Sequence, residues 1–127
     1  MNQTVCMAPI SVGELWDKFS ILCIKKERIL DEQLQSKVLH EIRQLESILQ
    51  EKELPQDLFY DLKLCNEKLW DIEDSIRKKE HKQEFDEEFI ELARSVYITN
   101  DQRARIKLSI NQLFHSDITE VKSYATY

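Results

Sequence analysis

The sequence predicts an all-α protein, an antiparallel bundle of about four helices with extended N- and C-terminal ends. Three observations carry this. Glycine occurs once and proline twice in 127 residues, a scarcity that suits helices and denies hairpins and phosphate loops their positive-φ positions. Serine–glutamate and aspartate caps stand where apolar periodicity begins. A seam of Leu58, Leu62, Cys65, Leu69, Ile72 and Ile76, spaced 4, 3, 4, 3, 4, keeps one stripe turned toward a partner helix for more than five turns.

The elements follow in order. Residues 1–10 lack a helical period and contain Pro9, so they read as an extended lead-in. Ser11-x-x-Glu14 is a capping box that starts the first helix at Val12. Leu15, Phe19, Leu22 and Ile29 line one face, with Trp16 and Cys23 beside them. Asp31 caps a second helix whose stripe is Leu34, Val38, Ile42, Leu45 and Leu49. Leu54-Pro55 marks the next break, because proline is tolerated only in a first turn, so the third helix begins near Pro55 or Asp57. Arg77 to Glu84 close it, and Asp86 opens a fourth helix with Glu87 and Glu88 at the positive end of its dipole. Phe89, Leu92, Ala93 and Val96 continue it. Thr99-x-x-Gln102 offers a second capping box, but Ile106, Ile110 and Leu113 extend the same seam, and one long helix to Phe114 is the preferred reading. Residues 115–127 form a tail whose Ile118 and Val121 are expected to pack on the bundle or the lead-in. With no repeat, linker or low-complexity tract, residues 1–127 make a single domain.

Composition narrows function. The net charge is −6 with 18 Lys+Arg against 24 Asp+Glu, and the absence of a long basic run argues against nucleic acid as a partner. No apolar run approaches the roughly 20 residues of a membrane span. Gly13 alone excludes dinucleotide, Walker-type and nucleophile-elbow motifs. Cys6, Cys23 and Cys65 and His40, His81 and His115 lie far apart in sequence, so no zinc site or cofactor is expected. The odd cysteine count and the lack of a secretory signal point to the cytoplasm. The long apolar seams point to a homodimer.

The candidate site lies on two helix margins. On the third helix, Phe59, Asn66, Trp70, Glu73, Arg77 and Glu80 share a face adjoining the seam, with Asp74 beside them. On the fourth, Arg94, Tyr97, Asn100, Arg103, Lys107 and Asn111 recur mostly three or four apart, with Asp101 among them. From Leu92 to Phe114 four cations oppose Asp101 alone, inside an acidic chain. Guanidinium groups grip carboxylates and phosphates through paired donors, and Trp70 and Tyr97 supply rings to stack on a sugar or base. The geometry expected is an anion site in which Arg77 faces Arg94 or Arg103, with Trp70 and Tyr97 as walls. The competing reading is structural, in which Glu73–Arg77 and Asp101–Arg105 are helix-surface ion pairs worth about 0.3–0.5 kcal/mol each.

Three carboxylate pairs, Glu14-x-x-Asp17, Asp71-x-x-Asp74 and Glu88-x-x-Glu91, have the spacing by which all-α nucleotide pyrophosphohydrolases hold magnesium, and so keep a metal-dependent hydrolase as an alternative. Such pairs are about as frequent as chance supplies in so acidic a chain, and no metal ligand is expected.

SVGELWDKFSILCIKKERI, NEKLWDIEDSIRKKE, FDEEFIELARSVYITNDQRARIKLSIN and VKSY resemble a family of small bacterial and phage-associated proteins of unknown function. The resemblance spans roughly residues 9–124. It implies a setting near envelope-polysaccharide genes and marks Asn66, Trp70, Asp71, Glu73, Asp74, Arg77, Arg94, Tyr97, Asn100, Asp101, Arg103 and Lys107 as pattern positions. Cys23 stands where the family usually has Glu. The favoured function is a non-catalytic binding or accessory protein acting through helix faces on a protein partner or a small anionic, sugar-phosphate-like ligand. A purely structural assembly subunit is the remaining alternative.

Overall fold

The computed structural model describes residues 3–127, so Met1 and Asn2 of the lead-in lie outside the described residues. Residues 3–10 are exposed and form no helix. Four helices follow: α1 (Val12–Arg28), α2 (Glu32–Glu51), α3 (Gln56–Lys82) and α4 (Glu87–Leu113). Together they form an all-α bundle with no strand among the described residues.

Local chemistry sets each boundary. Ser11 Oγ accepts the Glu14 backbone N–H at 3.0 Å, which caps α1. The reciprocal half of the box does not form: the Glu14 carboxylate reaches Lys107 Nζ at 2.8 Å instead, because a buried ammonium is a stronger partner than an amide. Although no glycine or proline separates α1 from α2, the join is satisfied by side chains. Asp31 caps Leu34 N–H at 3.0 Å, and the Gln35 amide donates to Ile29 O at 2.8 Å and to Lys26 O, which supplies donors to carbonyls left open at the helix end. Pro55 precedes α3. That helix ends at Gln83 in the left-handed region, φ 56°, where the Gln83 and Glu84 N–H groups return to Glu80 O and Lys79 O. Asp86 caps Phe89 N–H at 3.0 Å. Lys79 clasps Glu84, Asp86 and Glu88 across the same turn at 2.9–3.2 Å. α4 passes through Thr99 without a break.

α1 is the hub. It packs against each of the other helices, α3 and α4 pack on each other, and α2 approaches only α1. The core joins Leu15, Trp16, Leu49, Leu54, Leu62 and Ile110. Trp16, Phe19 and Phe59 form a ring cluster with centroids 5.6–5.8 Å apart, and the indole N–H of Trp16 donates to Lys52 O at 2.7 Å, fixing the end of α2 to α1.

Some stripe positions fall outside this core. Leu34 is half exposed, since α2 leans on one helix rather than two, and Leu113 is equally open at the end of α4. Ala93 is exposed. The tail does not pack through Ile118 and Val121, which are 41% and 85% exposed. It is tied down by polar groups instead. Ser116 Oγ accepts the Val12 N–H at 3.2 Å, Asn111 Nδ2 donates to Thr119 Oγ1 at 3.2 Å, and the Tyr127 hydroxyl donates to the Asp101 carboxylate.

Candidate functional site

Where α1, α3 and α4 meet, Gly13, Asp17, Ser20 and Ile24 form a second buried stripe on α1. Asp17 is 1% exposed. Arg103 grips it as a fork, Nε to Oδ1 at 3.0 Å and Nη2 to Oδ2 at 2.5 Å. Asn66 Nδ2 donates to Asp17 Oδ1 at 2.9 Å and to Ser20 Oγ at 2.7 Å, while the Ser20 hydroxyl donates to Asp17 O. Lys107 Nζ stands 3.7 Å from Asp17 Oδ2 and binds Glu14 at 2.8 Å and Glu120 of the tail at 3.2 Å. A carboxylate removed from water is thus matched by two cations and an amide, as a buried charge requires.

Beside this network a cavity of about 310 Å³ opens between the three helices. Asn66, Trp70, Glu73, Asn100 and Arg103 line it, with Ile21, Ile24, Leu69 and Val96 as apolar wall. Residues of both predicted margins therefore converge here. The polar groups have defined roles left. Both Asn66 N–H donors point to α1, so its carbonyl oxygen is what it can offer the cavity; Asn100 Oδ1 accepts from Arg103 Nη1 at 3.3 Å, so its amide offers donors. Arg28 lies over the Trp70 ring, 5.8 Å from the centroid, and holds Asp71 at 2.6 Å.

The other margin residues lie elsewhere. Arg77 is exposed on Glu73 at 2.9 Å, Arg94 is exposed on Glu91 at 3.1 Å, and Asp74 faces solvent. Tyr97 packs edge-on against Tyr127, 5.1 Å between centroids, while Asp101 takes the Tyr127 hydroxyl. Lys107 does not line that cavity and instead lies beside the tail, where Glu120 binds it. The expected confrontation of Arg77 with Arg94 or Arg103 does not occur, because Asp17 neutralises Arg103 from a third helix.

The chain belongs to a family of unknown function, DUF6165. The family model matches residues 6–127. No curated protein and no solved structure matches the chain. The family match thus covers all four helices, the lead-in from Cys6 and the polar tail.

Asp17, Ser20 and Gly13 are the site residues that margin analysis of α3 and α4 passes over. Their signal is the 4, 3, 4 spacing of Gly13, Asp17, Ser20 and Ile24, a core period written in small and polar residues. The thiols take no part: burial pushes the pKa values of both Cys23 and Cys65 up, which lowers their thiolate fraction.

Lys107 gives the network a pH signature. Burial works against its charge, but the Glu14 hydrogen bond and the Asp17 and Glu14 charges outweigh it and hold the ammonium above its ordinary 10.5. A cation held this way stabilises the fold fully below about pH 10.5 and loses that contribution as pH rises through the higher folded value. Glu120 is the mirror case: Lys122 and then Lys107 hold its carboxyl below the usual 4.5, so its contribution is present above that value and lost as pH falls through the lower folded one. Melting temperatures should therefore fall above pH 10.5, and Lys107→Arg, which keeps its charge to beyond about pH 12, should flatten the alkaline limb. An identical limb in both proteins would remove Lys107 as its source.

Proposed function

We propose that the protein is a non-catalytic binding protein that takes a sugar or sugar phosphate in the α1/α3/α4 cavity. The observation that supports this reading is the lining: an acceptor on Asn66, donors on Asn100, a carboxylate on Glu73 and an indole wall at Trp70, held on three helices. Hydroxyl groups of a sugar both donate and accept, and its C–H face packs on an aromatic ring. Two guanidinium N–H groups of Arg103 remain beyond its bonds to Asp17 and Asn100 and suit an anionic substituent, while Asp17 balances the guanidinium charge. The envelope-polysaccharide setting implied by the sequence resemblance belongs to this proposal, as do a cytoplasmic location and action as a homodimer.

The hydrolase alternative draws less support from the carboxylate pairs. Glu14 and Asp17 share Lys107, Asp71 holds Arg28, Glu88 holds Lys79 and Glu91 holds Arg94. Among the described residues no group of three metal-ligating side chains converges.

The test is thermal unfolding and tryptophan fluorescence with glucose, N-acetylglucosamine, their 1-phosphates and inorganic phosphate at matched ionic strength. Sugar phosphates should raise the melting temperature and perturb Trp70 emission, with the spectral change absent in Trp70→Phe. Asn100→Ala should weaken binding about tenfold, about 1.4 kcal/mol. Stabilisation by inorganic phosphate alone would reduce the site to a plain anion site, and no response to any of these probes would retire the reading.

A further inference from the structure

A larger surface opening lies along the α3–α4 pair, with Arg28 of α1 at its edge. It is a groove of about 920 Å³ whose walls include Leu58, Leu64, Cys65 and Ile106, with Asp61, Lys68 and Arg105 along it. Leu64 is 51% exposed. An exposed leucine beside the half-buried Leu58, Cys65 and Ile106 leaves apolar surface that water covers at a cost. Asp61, Lys68 and Arg105 have no ion-pair partner among the described residues, whereas their neighbours on α3, Lys63, Glu67 and Asp71, are paired to α1.

The arrangement of those charges is self-complementary. Asp61 and Lys68 are seven residues apart, two turns, and so share one face. Their midpoint falls between Leu64 and Cys65. A two-fold axis through that midpoint lays α3 antiparallel on a second α3, sets Leu64 beside the partner subunit's Cys65 and Cys65 beside the partner subunit's Leu64, and sets Asp61 opposite the partner subunit's Lys68 twice over. Such a reciprocal match is what an isologous interface demands. A face recognising an unrelated partner has no need for opposite signs placed symmetrically about its own apolar centre. We propose that this α3 face is a homodimer interface centred on Leu64 and Cys65, with reciprocal Asp61–Lys68 pairs. The proposal rests on the reading of the protein as a homodimer and names the surface that forms it.

Sedimentation equilibrium from 1 to 100 µM tests it, the concentration range being about that of ordinary weak-to-moderate dimers. The wild type should give twice the 15.2 kDa chain. Leu64→Glu should weaken the dimer at least tenfold, as should Asp61→Lys or Lys68→Glu alone. The double variant Asp61→Lys with Lys68→Glu should restore it, because the same two-fold axis then pairs the charges with signs exchanged. A fold defect would not be rescued in this way, and far-ultraviolet circular dichroism of each single variant separates the two. In a Cys6→Ser, Cys23→Ser background a short bismaleimide should link Cys65 to the partner subunit's Cys65. A wild type that remains 15.2 kDa throughout overturns both the dimer and the interface. A dimer indifferent to Leu64→Glu and to the charge exchange overturns this interface alone.

Discussion

Arg103→Ala should destabilise the fold by about 3–5 kcal/mol, read as a shift of the urea midpoint at unchanged slope. The size comes from what is left behind. Asp17, 1% exposed, loses both arms of the guanidinium fork and retains one amide hydrogen bond from Asn66 and an ammonium at 3.7 Å. An isolated charge in that position is far costlier than the pair was favourable. The second arm of the experiment follows from the same asymmetry: Arg103→Leu combined with Asp17→Leu removes both charges and should recover most of the lost stability. A loss below about 1 kcal/mol for Arg103→Ala would place the pair in the class of water-screened surface bridges. Binding of sugar phosphates should fail in the double variant even where its stability returns, because the leucine at position 103 supplies no donor to the cavity.

Gly13→Ala should cost a further kind of stability, about 1–3 kcal/mol. In an exposed helix this substitution gains close to 1 kcal/mol, so the expected sign is opposite to propensity. The cause is the approach of α4. A Cβ on residue 13 would stand 2.6 Å from Lys107 O and 2.9 Å from Asn111 Oδ1. A side-chain oxygen can swing away, but a helix carbonyl cannot move without its helix. The Gly13 N–H also donates to Asn111 Oδ1 at 2.7 Å, and separation of α1 from α4 would stretch that bond and the Lys107–Glu14 contact together. The measurement is again chemical denaturation, with the alkaline limb as a second readout. A variant as stable as wild type would mean that the helices part here at little cost.

The helices were legible because their ends carry chemistry: Ser11, Asp31, Pro55 and Asp86 stand at all four starts. The long seam of α3 was legible because apolar periodicity survives any arrangement of neighbours. What periodicity could not express was partnership. Leu34 and Leu113 carry the right spacing, yet a stripe residue is buried only where another helix covers it, and α2 is covered by α1 alone. The margin residues Asn66, Trp70, Glu73, Asn100 and Arg103 were legible as polar positions beside a seam, and they do meet around one cavity. Asp17 was not. Hydrophobicity patterns treat a carboxylate as an outward residue, and nothing within α1 announces that its counter-charge lies on the fourth helix.

The polar seam ties the two ends of the chain to each other. Val12 bonds Ser116 across 104 positions, Gly13 bonds Asn111 across 98, and Asp17 bonds Arg103 across 86. Loops of that span close slowly compared with the local contacts of a helical hairpin. On a ribosome, which delivers the N-terminal side first, α1 emerges with its aspartate unmatched and meets its counter-charge only once α2, α3 and most of α4 have followed. Translation therefore leaves this bundle incomplete until its fourth helix emerges: α1 and α2 can associate early, but the hub acquires its electrostatic partner only when α4 arrives.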